Sequence, residues 1–512
     1  MEPATPMQEE EQRDAAWRAL WMLAFMALGL VARFAEFLHY RVLWQDESYT
    51  GYTIVSKSFA EFFQPLGLYQ IVPPVYLSLV KACTLLAGVN EYAARFPSLV
   101  AGVASLFMFY LAARRMLTRR GAAFAFAFFA SSGLLIYYAN ELKPYSSDVL
   151  VSVSLWWLAH ETARRPRVDW DWAAKLGLAG AAAVWLSFPS CFVLAGIGAY
   201  QLERCARRRD MHRFTRLAAA YALWAASFAV LFLLILYPGM VQPSEVQGES
   251  LMDTMQGAWS FGFLPFPPKS AADLQLYENQ FFRLFYNPAG FRLTGLAAFL
   301  VLVGWGSLYR RDNRLFWLLL NPVIVVFAVS LLKLYPFDGR MILFLLPACY
   351  MALGEGIAYL SRNLNRGALA ITLLALGMLL LPPTARAAKN IVAPPPRYEL
   401  DTALRHIEEE WQDTDLLFLG FYDRLAFEFC QGWHHFPEAQ VLSEPRPLEL
   451  TPDGESVFET IPQDQLSGRR IWVAIDHHRA QEKLKALIEA RGGRPLPPFE
   501  LGGAKVFGFQ FD

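Results

Sequence analysis

The chain has 512 residues, 55% hydrophobic, 18% charged and 15% aromatic, and its 46 basic and 46 acidic side chains leave no formal net charge. Soluble domains carry about 25% charged residues, so a deficit over this length implies lipid-facing surface, and the missing basic excess argues against nucleic acid as a partner. Five scattered cysteines form neither a disulfide framework nor a zinc cluster, and with no GxxxxGKS/T or GxGxxG loop, ATP-driven transport and dinucleotide chemistry have no support.

The acidic N-terminal stretch lacks the pattern of a cleavable signal peptide. A membrane helix needs about 20 mostly apolar residues. Such stretches lie at 15–38, 97–113, 121–138, 146–160, 217–237, 292–309, 315–333, 341–360 and 367–386. A longer one, 174–202, is broken at Ser187-Phe188-Pro189-Ser190 into two. The sum is about eleven spans. Segment 72–87 is short, opens on two prolines and carries Lys81 in its middle.

Charge decides that segment. If it lies along the surface, every second loop carries basic clusters: 114–120, 164–175, 204–216, 310–314 and 362–366. The positive-inside rule then places those loops and the N-terminus in the cytoplasm. Segments 39–96, 139–145, 238–291, 334–340 and the chain beyond about 387 fall outside. The sequence thus predicts an α-helical polytopic membrane domain over 1–386 and a soluble outer α/β domain over 387–512. In the second, the Pro394-Pro395-Pro396 linker is expected to be stiff. Segments 416–421, 470–475 and 505–511 read as strands, and 399–411, 423–431 and 479–491 as helices.

Ionisable groups near membrane spans are costly, which makes them the first candidates for function. Three clusters fall on the outer face. In LWQDESYTGYTI (43–54), Asp46 and Glu47 are adjacent carboxylates, suited to leave one poised as a base; the competing reading makes Asp46 the cap of a helix over 47–63. In NELKPYSSD (140–148), Glu141, Lys143, Tyr145 and Asp148 offer a carboxylate, a point charge for phosphate, a hydroxyl and a second acid, against a plain hairpin turn broken by Pro144. In LYPFDGRMILFLLP (334–347), Tyr335 and Arg340 stand on the face where arginine is least expected. Arg340 suits bidentate phosphate binding, or else snorkels to the headgroups. The aromatic stretch 278–286 is expected to lie in the membrane surface. No outer histidine (39, 434, 435, 477, 478) has a ligand spacing.

Read together, DESY (46–49), PPVYLSLVKACTLLAG (73–88), NEYAARFPSLVAG (90–102), LAARR (111–115), ELKPYSSD (141–148) and GRMILFLLP (339–347) resemble the GT-C glycosyltransferases of family 39. More narrowly, they resemble bacterial relatives of protein O-mannosyltransferases and lipid A aminoarabinose transferases. The resemblance implies a GT-C fold in the bacterial inner membrane, with the C-terminal domain periplasmic. It implies sugar transfer from a polyprenyl-phosphate donor to a hydroxyl of a lipid, glycan or protein, with inversion. It assigns the acid of the first outer loop, Asp46 with Glu47 beside it, to catalysis or substrate anchoring. Many relatives have arginine where Lys143 stands. Metal-using relatives employ a histidine with no counterpart here, which leaves a divalent metal open and implies no other cofactor. The rival class is a multi-spanning transporter or lipid flippase, which the broken helix at 187–190 would suit.

Overall fold

A computed structural model describes the chain except residues 1–5, 40, 42, 69, 244–249, 258–259, 364–365, 394–399, 431–434, 445–455, 476–477 and 498–505. The proline linker 394–396 and His434 and His477 lie outside the described residues.

Each predicted span is largely helical, although 121–138 is broken at Ser132 and 341–360 begins in a 3₁₀ segment. The membrane part runs through α1 (Pro6–Leu38), α2 (Gln45–Ser56), α3 (Pro74–Ala87), α4 (Glu91–Met116), α5 (Arg119–Ser131) and α6 (Gly133–Tyr138). It continues with α7 (Tyr145–Arg164), α8 (Trp170–Leu186), α9 (Ser190–Arg207) and α10 (Met211–Leu231), which passes by a π-helical turn into α11 (Tyr237–Val241). After α12 (Leu251–Gly257) and α13 (Ala271–Tyr286) come α14 (Thr294–Arg311), α15 (Asn313–Leu331), a 3₁₀ segment Gly339–Leu345, α16 (Leu346–Asn363) and α17 (Arg366–Val392). Among the described residues, five stretches are long and apolar enough to cross a membrane unaided: Ala16–Leu38, Glu91–Met116, Met211–Val241, Asn313–Leu331 and Gly339–Arg362. The chain is a multi-pass membrane protein.

Helices apolar all round belong at the centre of a bundle. Every residue of α5 from Gly121 to Ser131 is buried, and α16 packs along it. Small residues set the closest crossing. A Cβ on Gly304 of α14 would overlap the carbonyl of Ala352 on α16, and one on Gly356 would overlap the carbonyl of Leu300.

Segment 72–87 forms α3, whose 14 residues reach only about 21 Å, short of a hydrocarbon core of about 30 Å. Its Tyr76, Leu77 and Val80 join Leu43, Ile54, Phe62, Leu66, Ala94 and Leu142 in one apolar cluster. Lys81 is not stranded in lipid. Its Nζ donates to the carbonyls of Ile54 (2.7 Å) and Lys57 (2.6 Å), closing the C-terminal end of α2.

The C-terminal domain holds α18 (Leu400–Glu410), β1 (Leu416–Leu419), α19 (Phe421–Cys430), β2 (Val441–Ser443), α20 (Val457–Thr460), α21 (Gln463–Leu466), β3 (Arg470–Ala474), α22 (His478–Ala490), β4 (Arg494–Pro495) and β5 (Val506–Gln510). Strand order is β2-β1-β3-β5-β4, with β2, β1 and β3 parallel and β5 antiparallel to both neighbours. Alternation along the strands sends Leu416, Phe418, Ile471 and Val473 toward Leu484 and Ile488 of α22. Leu417, Leu419, Trp472 and Ala474 face Leu400, Leu404 and Ile407 of α18. Strands β2 and β4 were not expected from sequence. They are two or three residues long, too short for a periodic signal.

Phe429 leaves this domain altogether and is buried in the apolar cluster around α2 and α3, together with Leu43 and Ile54. Gly51 makes room for it: a Cβ there would lie 3.1 Å from the Phe429 ring. The C-terminal domain therefore rests on α2.

Candidate active site

Asp46 and Glu47 both lie in the first turn of α2, where free N–H groups favour acids. The helix starts at Gln45 with Trp44 as its N-cap and ends at Ser56. Asp46 is thus inside the helix and does not cap it, and the helix is shorter than the 47–63 of the capping reading. Neighbouring residues on a helix project about 100° apart. The two carboxylates consequently meet different partners.

Glu47 is fully buried and bound on both oxygens by Arg95 of α4, Nε to Oε1 at 2.8 Å and Nη2 to Oε2 at 2.6 Å. The Leu142 amide donates to Oε1 at 2.6 Å. Burial works against the charged form of Glu47, but the doubly bonded Arg95 holds its carboxyl below the usual carboxylate range. These bonds tie α2 to α4 and to the turn before α7, which makes Glu47 the brace joining them.

Asp46 keeps 24% of its side-chain surface and is bracketed by cations, Lys143 Nζ at 3.8 Å from Oδ1 and the Arg340 guanidinium on Oδ2. Burial again opposes its charge, and Lys143 and Arg340 outweigh it, so its carboxyl titrates below the usual range. Arg340 also sits 5.8 Å from the centre of the Tyr145 ring.

The turn 139–144 is held from several sides. Ser98 donates to the Lys143 carbonyl at 3.1 Å, and Arg41 donates to that of Asn140. Glu141 is buried beneath the turn, accepting from the Trp44 indole at 2.7 Å and the Tyr137 hydroxyl at 3.4 Å. Burial, with the nearby charge of Glu47, pushes its carboxyl up to about 7. Gly339, at φ +49°, turns the chain into the 3₁₀ segment that presents Arg340. Asp338 beside it is pinned by Arg283 of α13 at 2.6 Å. Tyr335 donates to the Met341 carbonyl at 2.7 Å. A cavity of about 260 Å³ opens next to Arg340, lined by Tyr138, Phe261, Asn287, Asp338 and Met341 among others.

Asp46, Lys143, Tyr145 and Arg340, drawn from three separate sequence clusters, thus meet. Glu47 and Glu141 lie behind them as supports. Asp148 is buried one turn into α7, at the level of Ser187 at the break between α8 and α9. Arg95, Trp44, Arg41 and Arg283 were missed as contributors. Arg95 alone had a signal, as a lone arginine in NEYAARFP at the start of a span. Among the described residues, no group of three histidine, cysteine or acidic side chains could hold a metal ion.

A bundle of membrane helices with its polar site at one end, capped by a small α/β domain, is the GT-C architecture. The family profile described as dolichyl-phosphate-mannose-protein mannosyltransferase matches residues 72–232. ArnT from Cupriavidus metallidurans superposes with a TM-score of 0.56 in its apo state, at 14% identity over 96% of this chain and 98% of ArnT. ArnT bound to undecaprenyl phosphate superposes at 0.54, with 14% identity over 96% and 97%. The Archaeoglobus fulgidus oligosaccharyltransferase AglB, in complex with an inhibitory peptide and a dolichol-phosphate, gives 0.53 at 12% identity, covering 96% of this chain and 74% of AglB. No curated protein sequence matches the chain.

Proposed function

We propose that the chain is a membrane glycosyltransferase that moves a hexosyl or pentosyl group from a polyprenyl-phosphate donor to a hydroxyl of a lipid, glycan or protein acceptor. The observation that carries this reading is one partly exposed carboxylate, Asp46, set between two cations from distant segments, Lys143 and Arg340. The family match and the polyprenyl and dolichol phosphates named with ArnT and AglB support it. The alternation of basic loops supports a cytoplasmic N-terminus with the C-terminal domain across the membrane, and the resemblance to bacterial relatives supports a bacterial inner membrane with that domain periplasmic.

The same cations can serve Asp46 and the donor phosphate in turn. When the phosphate draws Arg340 and Lys143 toward itself, Asp46 loses the charges that depress its proton affinity and becomes a stronger base. The acceptor hydroxyl then attacks the anomeric carbon as Asp46 takes its proton. The carbon–oxygen bond to phosphate breaks with its electron pair going to the phosphate, and the configuration inverts. Arg340, with its planar fork, and Lys143 hold the charge that appears on the leaving group. Tyr145 positions Arg340. The side chains around Asp46 are cationic and do not compose a ligand set for a divalent metal, so no step is routed through one.

Asp46→Asn keeps the shape and removes the base. Transfer by the purified, folded variant should fall by about 10²–10⁴-fold. Lys143→Ala and Arg340→Ala should weaken binding of the polyprenyl-phosphate sugar in equilibrium titrations. Near-normal turnover by Asp46→Asn removes Asp46 from catalysis, and normal donor binding by both cation variants removes the phosphate site.

A further inference from the structure

The end of the bundle opposite Asp46 contains a second cavity, of about 490 Å³. Helix α7 connects the two. Its 20 residues carry the chain about 29 Å from Tyr145, beside Arg340, to Arg164, close to the thickness of a bilayer's hydrocarbon core. The cavity therefore lies at the headgroup level of the other leaflet. Its walls are the last turns of α7 (His160, Arg164), α9 (Arg204, with Arg208 just beyond) and α14 (Arg311), and the start of α15 (Asp312, Asn313, Arg314).

Five guanidinium groups surround this space and face one carboxylate. That carboxylate, Asp312, is already used, accepting from the Arg314 and Leu315 amides at 3.1 and 3.2 Å as the N-cap of α15. Arg311 is shared with the buried Glu355 at 3.3 Å and the Met116 carbonyl at 3.1 Å. Arg204 donates to the neutral Tyr200 hydroxyl at 2.9 Å. Among the described residues, no carboxylate pairs with Arg164, Arg204, Arg208 or Arg314. His160 adds an independent sign: it is only 4% exposed, lines the cavity, and its Nε2 has no hydrogen-bond partner among the described residues. Buried polar atoms are ordinarily paired, so a wall with an idle imidazole nitrogen lacks its complement.

The positive-inside bias explains basic residues strung along loops. It does not explain their convergence from four helix ends on a hollow with a buried histidine. Guanidinium forks match phosphate oxygens in pairs, and basic pockets between helix ends at headgroup depth are where anionic lipids are held. We propose that this cavity binds the phosphate of an anionic membrane lipid.

The test uses the full chain purified in neutral detergent. Its thermal unfolding midpoint is followed while phosphatidylglycerol, phosphatidylcholine or inorganic phosphate is added. A ligand that binds only the folded chain raises the midpoint. Phosphatidylglycerol should raise it by several degrees, whereas phosphatidylcholine and an equal concentration of inorganic phosphate should not. The double variant Arg164→Gln/Arg208→Gln changes two exposed side chains without carboxylate partners, so the fold should survive. Its apparent affinity for phosphatidylglycerol should drop at least about tenfold, each charge-assisted hydrogen bond to phosphate contributing about that much. Arg167→Gln/Arg310→Gln removes the same charge from the same end of the bundle outside the cavity, and should bind as the parent does. An equal response to phosphatidylcholine, an equal loss in both double variants, or no loss in the first overturns the site. The same rise with inorganic phosphate alone overturns the lipid as its occupant.

Discussion

Replacing Glu47 by glutamine separates the two roles that adjacent carboxylates in the first turn of α2 can have. The amide keeps the length of the side chain and one acceptor oxygen, but removes the charge facing Arg95 at 2.6 and 2.8 Å. Both partners are buried, so the guanidinium loses its doubly bonded counter-charge in a medium that solvates it poorly. Removing one partner of a buried pair costs about 3–5 kcal/mol. The retained oxygen can still serve the Leu142 amide or one Arg95 donor, which places the expected loss near the lower end, about 3 kcal/mol. Changing both residues, Glu47→Gln/Arg95→Gln, leaves two neutral amides able to pair, so the double variant should lose less than the sum of the singles by about 2 kcal/mol. The assay is chemical unfolding of the detergent-solubilised protein, read beside the transfer rate. If Glu47→Gln unfolds within about 1 kcal/mol of the parent yet loses transfer as Asp46→Asn does, Glu47 belongs to the chemistry and the bracing argument is refuted.

Three further expectations come from the same packing. For Glu141, with a carboxyl near 7 in the folded chain against an ordinary 4.5 when unfolded, the folded state holds the proton more tightly between those values. The parent therefore loses stability as pH rises through that window, by up to about 3 kcal/mol, and Glu141→Gln should be the more stable protein at pH 8 but not at pH 4; an equal difference at both pH values would contradict this. Phe429→Ala should free the C-terminal domain from α2 at a local cost of about 3–5 kcal/mol, seen as faster hydrogen exchange over 45–56, and unchanged exchange there would mean the contact does not hold α2 in place. Gly304→Leu forces α14 away from α16 where their backbones touch, and should abolish recovery of folded protein, whereas Gly306→Leu, which meets open space, should be tolerated.

The hydropathy and charge pattern sufficed to locate the apolar helices, the shortness of α3, and most strands and helices of the C-terminal domain. Those properties are one-dimensional: a span is about 20 apolar neighbours, a strand is an alternation, and a basic loop is a local count. Which of the two carboxylates faces Lys143 and Arg340 was not legible in the same way. Asp46 and Glu47 are equivalent as residue types, and they part only because a helix turns about 100° per residue, aiming one at Arg95 and the other at Lys143 and Arg340. The partners come from α4, from the turn before α7 and from the 3₁₀ segment before α16, and only the folding of the bundle makes them neighbours. The same holds for Glu141, a surface turn residue by sequence and a buried carboxyl under Trp44 in the fold. It holds again for Phe429, an ordinary core phenylalanine of its own helix that in fact anchors a different domain. Composition and periodicity determine what each segment is, whereas side-chain pairing depends on helix phase and on contacts between distant segments, and those exist only once the chain has packed.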